Sequence, residues 1–323
     1  MGIAGTGMYV PEKRLTNADL EKMVETSDEW ITTRSGIKER HICAPDETTS
    51  DIGLKAGVQA LESAGMEPEE LDAIIFATFT PDTLCPSTAC HLQGKIGAKN
   101  ALAFDLSAAC SGFIYGLTVA KGLITTGVCK NAMVLGAEAM SKFTDYQDRG
   151  TCVLFGDGGG AVIVKADAPD GRLLGEYLCA DGTMAEHIII PGGGSRNPCS
   201  QNMLENRLNY IKMAGNEVFK FAVRILVHSV EEALSRCGRS VQDLSLIVPH
   251  QANYRILDAA ARKMGLPDEK MFNNIANYGN TSAGTIPIAL YEALHQGRIK
   301  KGDLLSLVAF GGGMTWGSIV VEW

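Results

Sequence analysis

The chain has 323 residues, 46% of them hydrophobic and 20% charged, with a formal net charge of −8. That apolar content supports a large buried core and excludes a solvated, disordered polymer. The acidic balance argues against a nucleic-acid binder, whose phosphate contacts need a basic surface.

No apolar run nears the ~20 residues that cross a bilayer. Met1–Pro11 lacks a basic segment followed by an apolar one. The nine cysteines form no Cys-x-x-Cys pair and show no zinc spacing. The expectation is a metal-free protein of a reducing cytoplasm, with no membrane contact.

Short apolar runs alternate with amphipathic stretches along the chain. Leu71–Thr78 (LDAIIFAT) predicts a buried strand, and Ser87–Ile96, just after Pro86, the helix behind it. A strand over Ala101–Leu106 leads to a helix over Ser111–Thr125. Strands follow at Ala132–Gly136 and Ala161–Val164. The second part repeats the habit: a long helix over Asn216–Cys237, a strand at Leu244–Val248, and helices over Tyr254–Met264 and Ile286–Gln296. Strands at Leu304–Phe310 and Ser318–Glu322 close the chain. Such alternation predicts an α/β architecture with helix-covered sheets.

A faint internal repeat is visible. Ala64–Ile75 (AGMEPEELDAII) aligns with Cys237–Val248 (CGRSVQDLSLIV), so that Gly65 falls on Gly238, Leu71 on Leu244 and Ile74 on Ile247. With a drift of a few residues, Ala109-Cys110-Ser111 falls near Gly279-Asn280-Thr281. Two similar halves are expected, 1–165 and 166–323, packed as one body.

Four segments carry candidate chemistry. In Asp105–Gly116 (DLSAACSGFIYG), Cys110 sits where a strand gives way through small residues to a helix. A helix N-terminus has free N–H groups and partial positive charge, which predicts a lowered thiol pKa. His250 follows the strand Leu244–Val248, at a carboxyl end where α/β proteins place their sites. Asn277–Gly284 (NYGNTSAG) reads as a turn, and the repeat sets its Asn280 opposite Cys110. Phe310–Gly317 (FGGGMTWG) has glycines whose N–H groups can approach a ligand closely, as in an oxyanion hole. Neither Gly156–Gly160 nor any other Gly-rich run has the strand-GxGxxG-helix form, which excludes a nicotinamide-binding fold.

In order along nearly the whole chain, these segments resemble β-ketoacyl-acyl-carrier-protein synthase III. The resemblance also rests on Thr26–Ile31 (TSDEWI), Arg34–Ile37 (RSGI), Asp148–Thr151 (DRGT), Phe155–Gly158 (FGDG), Gly215–Lys220 (GNEVFK) and His250–Asn253 (HQAN). It implies a thiolase-like fold of duplicated α/β halves in five αβαβα layers. It also implies a homodimer with no cofactor beyond its coenzyme A thioester substrate, and malonyl-acyl carrier protein as second substrate. The implied reaction is a decarboxylative condensation that starts fatty-acid synthesis. A related Cys-His-Asn enzyme of a polyketide or quinolone pathway is the alternative, and a non-catalytic acyl-CoA-binding protein is disfavoured by the intact trio.

Residue by residue, the resemblance makes Cys110 the acylated nucleophile and gives His250 and Asn280 the malonyl thioester and its enolate. The backbone N–H groups of Cys110 and Gly312 become the oxyanion hole. Trp30 and Arg149 would sandwich the adenine of coenzyme A, with Thr26, Arg34, Asn216 and Asn253 along the tunnel. Lys220, Arg255, Arg262 and Lys263 would form a basic patch for an acidic carrier protein. Phe155 and Cys85 belong to the primer pocket, Cys85 reaching it across the dimer. Some relatives carry phenylalanine at that position, so the smaller cysteine predicts room for primers bulkier than acetyl.

Overall fold

A computed structural model of the chain describes residues 1–323. In chain order the strands are β1 Gly2–Tyr9, β2 Lys13–Thr16, β3 Glu39–Ile42, β4 Ala73–Ala77, β5 Leu102–Leu106, β6 Asn131–Glu138 and β7 Gly158–Lys165. They continue as β8 Arg172–Ala180, β9 Ile188–Ile189, β10 Lys212–Met213, β11 Leu246–Pro249, β12 Leu304–Gly311 and β13 Thr315–Glu322. Nine of these lie in the order β11-β12-β13-β8-β1-β7-β6-β4-β5, while β2-β3 and β9-β10 stand apart as pairs. A single residue pair, Gly2 with Arg172, joins β1 to β8, so the array is two sheets meeting at one corner.

Residue alternation along the strands shows why there are two sheets. Ile74, Phe76, Met133, Leu135, Ala161 and Ile163 bury one face of the first sheet against Ile52, Ala56 and Ala60 of the helix Thr49–Ala64. The intervening Ala73, Ile75, Val134, Val162 and Val164 bury the other face in the central core. Period-two alternation that is apolar on both faces requires cover on both faces. The helices Gly112–Thr125 and Thr285–His295 supply it from between the sheets, and both are buried around most of their circumference. Outside the second sheet, Gly215–Ser235 packs Phe221, Ile225 and Ala233 under Trp316 and Val320.

The connectivity occurs twice. In the first sheet β4 runs parallel to β5 and β6, and β6, β7 and β1 continue antiparallel. In the second, β11 runs parallel to β12 and to an isolated bridge at Met271, while β12, β13 and β8 continue antiparallel. Ile74 pairs with Met133 as Ile247 pairs with Ser306, which is the register seen in the sequence.

The expected drift of the repeat is not there. At that same register, Ala109 corresponds to Ser282, and these two are the non-glycine residues with positive φ (46° and 51°) that open the short 3-10 turns before the two central helices. Cys110 therefore has Ala283 as its counterpart, and Asn280 lies before the second turn. The sequence alignment slipped because the glycine and asparagine of Asn277–Asn280 mimic the small residues around Cys110.

Each turn packs tightly on the sheet of the other repeat. Gly136 of β6 lies against the Ala283 carbonyl, so a Cβ there would collide with backbone. Gly136→Ala is expected to lower stability by about 1–3 kcal/mol or more, because backbone yields less readily than a flexible side chain. Urea unfolding reads this directly, and an unchanged midpoint would show that the turn gives way.

Candidate active site

Cys110 is held in the turn Ala109–Ser111, one step ahead of the helix Gly112–Thr125. Its neighbours fix it from the β12–β13 side. Thr315 Oγ1 donates to Ala108 O at 2.9 Å, and Ser111 Oγ donates to Thr315 O at 3.0 Å. A Cβ on Gly311 would stand 2.6 Å from Cys110 N, so only glycine lets these backbones run side by side. Gly312 follows, packed against Ala109 and Ile188.

The expected low thiol pKa is overturned. Burial pushes Cys110 up to about 12; the Ser282 hydroxyl acts against that rise, and the Glu138 charge adds to it. The cysteine, half-buried at the cavity wall, precedes the helix in a turn packed between the repeats, where loss of water outweighs the helix end.

His250 is buried at the end of β11, and its own N–H donates to Val308 O at 2.7 Å. Its Nδ1 lies 2.7 Å from Thr285 Oγ1, and its ring meets Phe310 edge-on. Burial alone pushes the imidazole down to about 3, so it is neutral at pH 7. Asn280 bridges to Phe155, which places it in the same wall. Its Oδ1 accepts from Ser282 N at 2.8 Å, which leaves Nδ2 as the free donor.

A fourth polar group was not foreseen. Glu138, at the end of β6, is fully buried and has no cationic partner. Its Oε2 accepts from Thr78 Oγ1 (2.7 Å), Thr80 N (3.0 Å) and Thr80 Oγ1, and Phe79 N donates at 3.2 Å. Burial pushes its carboxyl up to about 7 against those bonds. A lone acid closing the apolar run AMVLGAE was the available signal. Ser282 lay in the segment Asn277–Gly284 read as a turn, and Thr285, one residue beyond it, drew no reading.

Cys110, His250, Asn280, Phe155 and Gly312 line one cavity of about 950 Å³, whose mouth holds Trp30, Arg34, Asn216, Lys220, Asn253 and Arg255. Arg34 and Arg149 both stack on Trp30, with guanidinium carbons 4.7 and 5.0 Å from the ring centre. Arg149 itself stands just outside the cavity and donates to Glu25 O at 3.0 Å. Thr26 Oγ1, nearby in the chain, is buried without a partner.

The other expected residues do not gather here. Arg262 pairs with Asp258 at 2.8 Å, and Lys263 borders a separate groove with Arg224, His228 and Glu231. Cys85 is exposed, away from its own chain's cavity.

Two stretches match family models. Residues 104–182 match 3-oxoacyl-[acyl-carrier-protein (ACP)] synthase III, and residues 234–323 match the C-terminal model of the same enzyme. A β-ketoacyl-[acyl-carrier-protein] synthase III of Caldanaerobacter subterraneus subsp. tengcongensis is 53% identical over 322 residues, covering 100% of this chain and 97% of the relative. The chain belongs to the β-ketoacyl-acyl-carrier-protein synthase III family. Another synthase III, from Clostridium acetobutylicum, is 51% identical across 99% of this chain and 98% of its own. The crystal structure of the Aquifex aeolicus synthase III is similar with a TM-score of 0.92 at 48% identity, covering 100% and 99% of the two chains. As a synthase III this chain is a condensing acyltransferase of fatty-acid synthesis with the thiolase fold, and its five layers are those described above.

Proposed function

We propose that this site performs the initiating condensation. A short-chain acyl group passes from coenzyme A to Cys110, then joins malonyl-acyl carrier protein with loss of carbon dioxide. The products are 3-oxoacyl-acyl carrier protein and free coenzyme A. The observation that carries this reading is the convergence of Cys110, His250 and Asn280 on one cavity with an arginine- and tryptophan-lined mouth.

The chemistry needs a sulfur nucleophile first and hydrogen-bond donors second. Decarboxylation of the malonyl group leaves an enolate, whose oxygen Asn280 Nδ2 and His250 Nε2 can stabilise. A neutral imidazole donates from Nε2 only if Nδ1 accepts. The Thr285 hydroxyl can supply that bond, with Ser282 O (3.0 Å) as its alternative acceptor. The N–H groups of Cys110 and Gly312 take the thioester oxygen during acyl transfer.

At the mouth, a base entering between Trp30 and Arg149 displaces the guanidinium from the ring it now covers, and Thr26, Arg34, Asn216 and Asn253 take the remainder of coenzyme A. Lys220 and Arg255, on two different helices at the mouth, offer charges to an acidic carrier protein, while Arg262, paired with Asp258, and Lys263, beside a separate groove, stand farther along the helix of Arg255. The repeated strand order supports halves at 1–165 and 166–323. Free cysteines throughout suit the cytoplasm.

The edge strand β5 supports a homodimer. Its outer side is unpaired, Leu102 is 47% exposed, and Leu84 beside Cys85 is 87% exposed. Pairing β5 with its copy would continue the sheet and bring Cys85 to the partner's primer pocket. The test is a reaction with malonyl-acyl carrier protein and a primer series. Production of 3-oxoacyl-acyl carrier protein is expected, with isobutyryl-CoA used comparably to acetyl-CoA. No product from any primer overturns the reaction, and a preference for acetyl by orders of magnitude overturns the role given to Cys85.

A further inference from the structure

We infer that Glu292, which lies outside the cavity, is a positioning residue: it ties Tyr278 to Asn274 and so fixes the Asn280 amide relative to the His250 ring. This rests on the reading of Asn280 and His250 as donors to one enolate oxygen. Two donors serve one oxygen only if their separation is held, because a hydrogen bond weakens steeply as its angle and length drift. The two residues belong to different segments, His250 just after β11 and Asn280 just before the second 3-10 turn. Their separation is set by whatever joins those segments.

A chain of hydrogen bonds joins them. Gln251, buried next to His250 in the chain, donates through Nε2 to Pro249 O at 3.0 Å and to Phe272 O at 3.1 Å. Its Oε1 accepts from Asn274 N at 3.1 Å. Asn274, also buried, donates through Nδ2 to Glu292 Oε2 at 2.7 Å, and Tyr278 Oη donates to Glu292 Oε1 at 2.7 Å. Bonds to a carboxylate are of the stronger, charge-assisted kind. One side chain thus links the frame around His250 to the residue two before Asn280. Between Tyr278 and Asn280 stands Gly279, at φ 63°. A glycine there leaves the direction of the amide to the anchors on either side of it. On the far side, Ser282 N holds Asn280 Oδ1, and the Thr285 hydroxyl meets the His250 ring. On the near side the anchor is Tyr278, held by Glu292 and stacked on His41 with ring centres 5.8 Å apart. The backbone bonds of Asn280 itself run to Leu154 O and from Gly156 N, so they refer it to the first repeat and not to His250.

Glu292 and Thr285 lie on one helix, Thr285–His295, about two turns apart. That single rigid element therefore meets His250 at one end and Tyr278 at the other. Removing the Glu292 carboxylate frees Tyr278 and the short helix Ile275–Tyr278 that leads to Asn280. His250 keeps its backbone bond to Val308 O, its contact with Thr285 and the support of Gln251. Cys110 keeps the bonds around it that Thr315 and Ser111 make. Acylation thus retains its parts, and the half-reaction that uses Asn280 loses one tie.

The test separates the half-reactions. Rapid-quench intact mass follows acylation by acetyl-CoA, and carbon dioxide release follows decarboxylation of malonyl-acyl carrier protein. Glu292→Ala is expected to slow carbon dioxide release about tenfold, less than the hundredfold that a displacement of about 1 Å can cost, and to leave acylation within about twofold of the wild type. Glu292→Gln should restore most of the rate, since its amide oxygen can accept from Asn274 while its NH2 donates to the Tyr278 oxygen. In an Asn280→Ala background Glu292→Ala should cost nothing more, because the group it positions is already gone. If Glu292→Ala does not fold, Tyr278→Phe, which removes one hydroxyl, carries the test. Carbon dioxide release at the wild-type rate in these variants overturns the inference. So does an equal loss in both half-reactions, or a further tenfold loss in the Asn280→Ala background, either of which makes the role structural. A wild type that releases no carbon dioxide, or an Asn280→Ala enzyme that releases it normally, removes the reading of Asn280 on which the inference stands.

Discussion

Cys110→Ala is expected to fold as the wild type does and to gain no mass from any acyl-CoA, whereas the wild type gains one acyl group. Condensation should fall on the order of 10⁶-fold, the scale reached when a covalent nucleophile is lost. The size of the effect follows from the geometry. No other thiol lines the cavity, so no neighbour can take the acyl group. The substitution removes one atom from a turn that Thr315 and Ser111 hold through backbone carbonyls, so these bonds persist. An acylated Cys110→Ala protein would place the acyl acceptor elsewhere.

Asn280→Ala should leave acylation of Cys110 near the wild-type rate and slow condensation about 10²–10³-fold, the cost of removing one donor to a developing oxyanion. Its Oδ1 is already engaged by Ser282 N, so the amide cannot rotate to substitute one end for the other. Decarboxylation by the wild type should show no imidazole titration near pH 6.5. The His250 ring, pushed down to about 3 by burial, stays neutral as the pH rises through that range. Carbon dioxide release across pH 5.5–8 checks this, and a rate that halves near 6.5 would make His250 a titrating acid. Equal loss of both half-reactions in Asn280→Ala would reduce Asn280 to a scaffold residue.

Most regular elements were legible because their sheets are buried on both faces and their helices carry clear stops. Gly65, Gly97 and Gly265 close three helices in the left-handed conformation. What escaped notice was β1, where GIAGTGMY shows no alternation because the helix Thr49–Ala64 packs closely on its glycines. β8 and the helix Thr49–Ala64 also went unpredicted. At the site, Cys110, His250 and Asn280 were visible as residues at strand ends and turns. Glu138, Ser282 and Thr285 were not, since each gains its contacts from residues distant in the chain, Thr78 and Thr80, Glu138, and His250 respectively, which no local pattern records. The thiol's pKa was misjudged for the same reason: a helix end is local, whereas burial is a property of the whole assembly.

The two turns that open the central helices share a backbone shape but not a content. Ala109 and Ser282 bear the same uncommon φ, yet the reactive thiol of the first turn has only the methyl group of Ala283 as its match in the second. Had both copies kept a cysteine, the molecule would carry two identical half-sites, each lacking the donors the other would need. Asymmetry is what makes a single working centre out of a twofold body. One turn carries the reactive atom, and the matching bend of the other presents a hydroxyl to Glu138 and a backbone N–H to the Asn280 amide that lines the cavity.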